Sequence, residues 1–514
     1  MEIKIIFDVF VRNTNTGGLI DNGMIRVNHV AVPWRSLRHL HLHPHPIVQS
    51  LFTSINNQNS ILKSYTANPT VMRLINALTL RLETFHDSST PRYAILSHTW
   101  GDSEITYSEL RESKMGLLKA RIRIKSKTGY YKITQCCSQA LQDGLEYVWV
   151  DTCCIDKSSS AELSEAINSM FRWYKHAMVC YVYLDDIDIF VPMRSGGISF
   201  AKGEPKRFWT TNIDLISEND LSKARWFTRG WTLQELIAPE NVAFYIKGWN
   251  YVGNKVSMSK KLARITGIDE LSLIVRNLGT VSITRRMSWA ATRVTTRTED
   301  LAYCLLGIFD VNMPLLYGEG EKAFVRLQEE IMKDSMDQSL FAWGSSIATE
   351  SWDLDHILPI NPEEGRSAFA RHPSDFADSH AVRPSPWCGE PYALTNKGVR
   401  LEAPIFPLNG GVFVLVLAVY YEGDIDQPLG VVVQKLNGNI DNQIVRHNLV
   451  GLVKVSNDLI KRGGQFGTVY LCKRTPYAQD APPILKPGPF RRPQLDEEIS
   501  LASSTTLVSD DGME

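Results

Sequence analysis

Between Tyr93 and Asp186, short apolar runs alternate with segments whose apolar residues recur every three or four positions. YAILSHTWG opens as an apolar strand and ends in polar and glycine turn residues, which places Ser97, His98, Trp100 and Asp102 at a strand's carboxyl end. Around KITQCCSQALQDG, the residues Ile133, Cys137, Ala140 and Leu141 share a helical spacing, and Gly144 supplies a C-terminal stop. YVWVDTCCID predicts a second strand, Tyr147 to Asp151, and VCYVYLDD a third, Val179 to Asp186, rich in β-branched and aromatic residues. Between them lies the clearest amphipathic helix, with Ser159 and Glu162 as a capping box and Leu163, Ala166, Ile167, Met170 and Tyr174 on one face. This alternation predicts an α/β fold: a parallel sheet flanked by helices, with ligands outside the carboxyl ends of the strands. SHTWGD, Asp151 to Lys157 and Asp185-Asp186 gather there.

Further along, Ile187 to Leu221 reads as a loop, from its glycines, prolines and mixed polarity. TEDLAYCLLGIF, Thr298 to Phe309, is apolar nearly all round and predicts a buried helix; GEKAFVRLQEEIMK predicts another, with Phe324, Leu327 and Ile331 on one face. Past Trp343 a proline- and acid-containing stretch leads to strand-like pieces, NKGVRLEA, GVFVLVLAVYY, NLVGLVKVS and GTVYLCKR. The expected organisation is a poorly ordered extension over 1–71, a main region over 72–343 (core 93–240, helical completion 241–343), a linker over 344–390, a smaller β-rich module over 391–475 and a disordered tail over 476–514. In the extension, His39, His41, His43 and His45 alternate with other residues in RHLHLHPHP; a metal site competes there with a solvated tail, and the two prolines and lack of cysteine or carboxylate favour the tail. No metal site is expected.

Composition narrows the function classes. Net charge is −1, from 55 basic and 56 acidic residues, so no global field draws the chain to nucleic acid or an anionic membrane. The longest apolar run, Val412 to Tyr421, is half the length of a membrane helix and reads as a buried strand. The amino terminus lacks a continuous apolar signal segment, which points to a cytoplasmic protein. Of eight cysteines, Cys136-Cys137 and Cys153-Cys154 are adjacent pairs rather than zinc-knuckle spacings, and read as reduced, buried side chains.

Four blocks in order resemble the fungal heterokaryon-incompatibility (HET) domain family: YAILSHTWGD, YVWVDTCCIDKSSSAELSEAINSMFRWYKHA, ARWFTRGWTLQELIAP, and the long block from RMSWAATRVTTRTEDLAYCLLGIF to MK at Lys333. The resemblance covers Met72 to about Trp343 and implies a role in non-self recognition ending in growth arrest or programmed cell death, a form of fungal innate immunity. The HET pattern is in turn remotely similar to Toll/interleukin-receptor (TIR) domains, through the helix Glu162 to Tyr174, the strand Val179 to Leu184, and Trp231 followed by Glu235-Leu236. It departs from them in the long stretch before that last motif and in Thr232, where many relatives carry cysteine.

Enzymatic TIR domains cleave the nicotinamide–ribose bond of NAD, so the resemblance implies NAD as substrate rather than a bound cofactor. Nicotinamide is a cationic leaving group and needs no general acid; one carboxylate near the anomeric carbon would stabilise the oxocarbenium-like ribose. Glu235 is the candidate, with Trp231 or Trp100 stacking a ring, Arg225 and Arg229 meeting the pyrophosphate, and Ser97 and Asp151 orienting the ribose. Each has a structural alternative: a surface salt bridge for Glu235, core packing for Trp231, solvated surface for the arginines, and a structural rather than basic role for His98. GGQFGTVY imitates a kinase glycine-rich loop, but only 44 residues follow Tyr470. Cys153 near His98 lacks the turn of a thiol nucleophile. The competing reading is a non-enzymatic module that signals by homotypic assembly. Either way self-association is expected, together with a separate sensor or NLR-type protein partner.

Overall fold

The structure, a computed structural model, describes residues 71–473 apart from internal segments, the longest being 189–215 and 345–356, and two strands in the first 70 residues. Those two, β1 (Met24–Val27) and β2 (Val30–Pro33), form an antiparallel hairpin in a separate unit, Met1–Pro69. The histidine cluster, most of the expected loop after Asp186 and the expected tail lie outside the described residues.

The main unit is built on a seven-stranded sheet of order β4-β3-β6-β5-β7-β8-β9. Its centre is parallel: β6 (Tyr147–Trp149), β5 (Tyr93–His98), β7 (Val179–Leu184) and β8 (Val242–Ile246). All six residues of β5 and all five of β8 are buried, because helices cover both faces; this is why these strands read as continuous apolar runs. Antiparallel strands finish each edge, β3 (Val71–Asn76) with β4 (Leu82–His86) on one side and β9 (Asn250–Asn254) on the other. The parallel strand order reverses between β5 and β7, where such sheets open a crevice.

The helices follow the predicted periodicity, with informative differences. After α1 (Tyr107–Lys114) and α2 (Leu118–Lys125), α3 (Thr128–Gln142) ends at Gly144, whose φ of +74° is the left-handed stop expected there. In α4 (Ser160–His176) the Ser159 hydroxyl accepts from the Glu162 N–H, a cap worth about 1 kcal/mol. The expected capping box is only half made: the Glu162 carboxylate turns to the Asp156 N–H and to Arg73 instead, pinning the helix to β3. Next come α5 (Glu218–Ser222), α6 (Thr232–Ile237), α7 (Ser259–Thr266), α8 (Glu270–Val275) and α9 (Ile283–Ser288). The single helix expected over Thr298 to Phe309 is two, α10 (Asp300–Tyr303) and α11 (Leu306–Phe309), since the chain tightens to i→i+3 bonds at Leu305 and Ile308. The last helix, α12 (Lys322–Asp334), buries Phe324, Leu327 and Ile331 as its spacing predicts.

The carboxyl-terminal module is a small barrel. β12 (Gly398–Pro407), β13 (Val412–Tyr421), β14 (Pro428–Lys435), β15 (Gln443–Arg446) and β17 (Gln465–Leu471) close a ring in which only β15 and β17 run parallel; β10 (Val382–Pro384), β11 (Ala393–Thr395) and β16 (Leu452–Lys454) flank it. The run VFVLVLAVYY is apolar on both sides because Val412, Val414 and Val416 join one core while Leu415, Leu417 and Val419 join the core shared with the helices. The kinase-like GGQFGTVY is barrel strand β17. Residues 365–386 contribute Ala368, Phe369, Ala370 and Phe376 to the shared core. Among the described residues no helix is long and apolar enough to cross a membrane.

Barrel and helices are joined at Arg446, a buried guanidinium that donates to the carbonyls of Phe341 (2.7 Å) and Trp343 (2.6 Å) and lies 3.7 Å over the Trp343 ring. Among the described residues it makes no ion pair, and burial lowers its pKa to about 9, with the nearby Arg366 charge adding to this and Asp375 opposing it. Arg446→Ala would orphan two buried carbonyls and leave a void, so it is expected to cost about 3 kcal/mol, read as a lowered urea midpoint. An unchanged midpoint would show that the joint is held elsewhere.

Candidate functional site

The parallel strands aim their carboxyl ends at one region, and the turn Arg225–Thr228 with α6 folds over it. Gly230 makes the approach possible: a Cβ there would lie 2.5 Å from Thr295 Cγ2 and 3.2 Å from Cys304 Sγ. Thr232 then ties the turn together, its single hydroxyl hydrogen shared between the carbonyls of Trp226 and Arg229 while its oxygen accepts from the buried Arg293 guanidinium at 3.0 Å. Arg293 also donates to Arg229 O and Trp289 O, so the helical completion helps to hold the turn in place. A thiol at this position would fill that bonding role poorly.

This arrangement delivers Glu235 to the end of β5. The Ser97 hydroxyl donates to the Glu235 carboxylate and accepts from the Trp226 indole N–H at 2.7 Å. Glu235 is only 7% exposed. Burial pushes its carboxyl up to about 7; the Asp151 charge adds to this, while the Ser97 hydrogen bond, Arg229 and His98 pull the other way. Within the same pocket of charge, Asp151 accepts from the Trp100 indole N–H at 2.8 Å and lies 3.9 Å from His98 Nδ1. The other imidazole nitrogen lies 3.4 Å from Glu104, and neither makes an aligned hydrogen bond among the described residues. Burial alone would raise the Glu104 carboxyl, but His98, the Gly101 N–H and Lys132 outweigh it and hold it at about 2.

The structure therefore brings Ser97, Trp100, Asp151, Arg229 and Glu235 into one constellation. Trp231 is turned away: it packs against the core and hydrogen-bonds Asp300. Arg225 stays at the rim, held by Asp185 at 3.2 Å and Asp186 at 3.3 Å. The face of Trp100 is not bare, since Lys157 Nζ lies 3.5 Å and Arg229 Cζ 5.2 Å from its ring centroid. Sequence reasoning passed over Trp226, Glu104 and Lys132, and placed Lys157 at the strand ends without giving it a role. The ARWF segment before the turn was the only signal for the first, and nothing local marks Lys132, which is buried and reaches Thr99 O, Glu104 and Asp185 from α3. Cys153 is buried, and burial raises its thiol well above the usual range, which disfavours a nucleophile. A cavity of about 310 Å³, lined by Arg92, Asp143, Asn241 and Lys255, lies at the opposite, amino-terminal ends of the strands.

A carboxyl whose pKa is raised on folding binds more protons in the folded than in the unfolded chain between its ordinary value and about 7, so stability falls as pH rises through that window. Glu235→Gln, which keeps the acceptor but not the charge, is expected to gain stability relative to the parent on going from pH 5 to pH 8, by on the order of 3 kcal/mol. Urea midpoints of both proteins at the two pH values measure this. A constant difference would mean that Glu235 is ionised throughout.

Residues 93–235 match the profile of the family "Heterokaryon incompatibility protein (HET)", and residues 322–416 match a domain of unknown function, DUF8212. The vegetative incompatibility protein HET-E-1 of Podospora anserina is 47% identical over 247 residues, which is 48% of this chain but 16% of that protein. The chain thus spans about one sixth of that relative's length. No solved structure matches. The matched family segment runs from Tyr93, the first residue of β5, to Glu235 and so includes both partners of the Ser97–Glu235 contact; on these grounds the chain is a HET domain-containing protein.

Proposed function

We propose that this chain acts in vegetative incompatibility as an effector of cell death, and that its HET domain does so by cleaving NAD at the nicotinamide–ribose bond. The observation that carries the reading is the buried Glu235, held by Ser97 beside Trp226 at the carboxyl end of the sheet, with its pKa near neutrality. In the reaction the bond from the ribose anomeric carbon to the pyridinium nitrogen breaks, and nicotinamide leaves with the electron pair as a neutral molecule. Water adds to the ribose, and the Glu235 carboxylate stabilises the developing cation and accepts the water's proton. Asp151 and Ser97 orient the ribose hydroxyls, and Trp100 presents its neighbouring cations rather than a bare stacking face. The name of the Podospora anserina relative supports the incompatibility role, and the remote likeness to TIR domains supports the chemistry.

A second reading, assembly without turnover, is favoured by one contrast: the acid is 7% exposed whereas Trp100 beside it is 41% exposed, which suits a contact surface. In that reading copies of the domain associate through this surface when a separate sensor protein brings them together.

Nicotinamide release by the full chain separates the two. The reactive form is the carboxylate, so the rate is expected to rise with pH to a plateau, with a midpoint near 7, and Glu235→Gln is expected to lower it at least about 100-fold. Absence of release at every protein concentration, with Glu235→Gln still lethal on expression in a fungal host, would overturn cleavage in favour of assembly.

A further inference from the structure

The cations at the strand ends divide into two kinds. Lys132 is neutralised by Glu104 at 2.8 Å and Asp185 at 3.2 Å, and Arg225 by Asp185 and Asp186. Arg293 is buried on carbonyl oxygens. Lys157 and Arg229 differ: among the described residues neither makes an ion pair, and both lie over the ring of Trp100. Their distances from one centroid keep the two charges within about 9 Å of each other. Two like charges gathered on an exposed indole repel, and the ring recovers only about 1 kcal/mol for each. The ring's orientation is fixed by its N–H bond to Asp151, and that carboxylate also acts on Lys157 through its charge without a contact ion pair among the described residues. What the platform lacks, among the described residues, is an anion in direct contact with either cation.

We propose that Lys157 and Arg229, presented on Trp100, bind the diphosphate of a dinucleotide. The inference rests on the NAD reading and adds Lys157, which no sequence motif singles out, while Arg225 is committed to its two aspartates. A diphosphate supplies the charge that both cations lack, and the fork of Arg229 can bridge phosphate oxygens where Lys157 supplies a point charge. Arg229 is also close enough for its charge to act on Glu235, so a diphosphate held here leaves the attached ribose beside the acid.

The test is the binding of ADP-ribose and of inorganic pyrophosphate to the full chain carrying Glu235→Gln, measured calorimetrically without turnover. Adding Lys157→Gln or Arg229→Gln is expected to weaken ADP-ribose about tenfold each, and the pair about 100-fold, the effect of removing one charge-assisted hydrogen bond per cation. Lys223→Gln, which removes an exposed cation paired with Asp220, is expected to change it less than about twofold. Urea midpoints check that the variants fold. Absence of ADP-ribose binding by the parent, or undiminished binding by the double variant, overturns the proposal. The two readings fail separately. If the double variant, with Glu235 restored, cleaves NAD at the parental KM, the diphosphate site is wrong and cleavage stands. If ADP-ribose binds through Lys157 and Arg229 but NAD is never cleaved, the site stands and cleavage falls. Selective loss, in the double variant, of self-association or of an acidic peptide rather than of ADP-ribose would assign the cations to a protein interface and also overturn it.

Discussion

A carboxylic acid held out of water at the end of a parallel strand is the constraint around which this domain is arranged. Burying Glu235 as an ion would cost several kcal/mol without compensation, and the structure meets that cost in two ways. Ser97 gives the carboxylate a hydrogen bond and is itself fixed by Trp226, while proximity to Arg229 and His98 limits the rise in pKa. The group is left near the point where it exchanges a proton at neutral pH. The features that bring α6 to β5 serve this contact: the bare Gly230, the Thr232 hydroxyl shared between two carbonyls and the buried Arg293 from beyond α9.

The surrounding charges are sorted rather than merely crowded. Glu104 faces the Lys132 ammonium and the His98 imidazole in an inner group, and Asp185 extends it from Lys132 to Arg225. Such a network stiffens the strand ends and keeps Glu104 ionised far below neutrality. Outside it, Lys157 and Arg229 share Trp100, and among the described residues neither makes a contact ion pair. An inner ring satisfied within the protein and an outer pair that is not is the distribution expected of a surface whose remaining partner is anionic.

The parallel sheet was legible because burial on both faces leaves continuous apolar runs, and Tyr93 to His98 and Val179 to Leu184 have them. The barrel was legible only in part. β14 escaped notice because Pro428 and Gly430 interrupt its start, although Val431 to Val433 lie deep in the core. At the site, the strand-end residues Ser97, Trp100 and Asp151 followed from topology, since the carboxyl ends of parallel strands must converge. The partner of Ser97 did not follow: the contact with Glu235 spans 138 residues and depends on a turn braced by Arg293. Trp231 has helical backbone angles at the start of α6 yet packs against the core, and it is Trp226 that supplies the indole bonded to Ser97.

Infrared difference spectroscopy of the parent chain against Glu235→Gln, across a pH titration, reads the protonation of this one carboxyl directly. The account predicts a protonated-carboxyl band, absent from the variant, that fades with a midpoint near pH 7. A band that is already gone at pH 5 would show an ordinary, solvated carboxylate and contradict the claim that a buried acid organises the site.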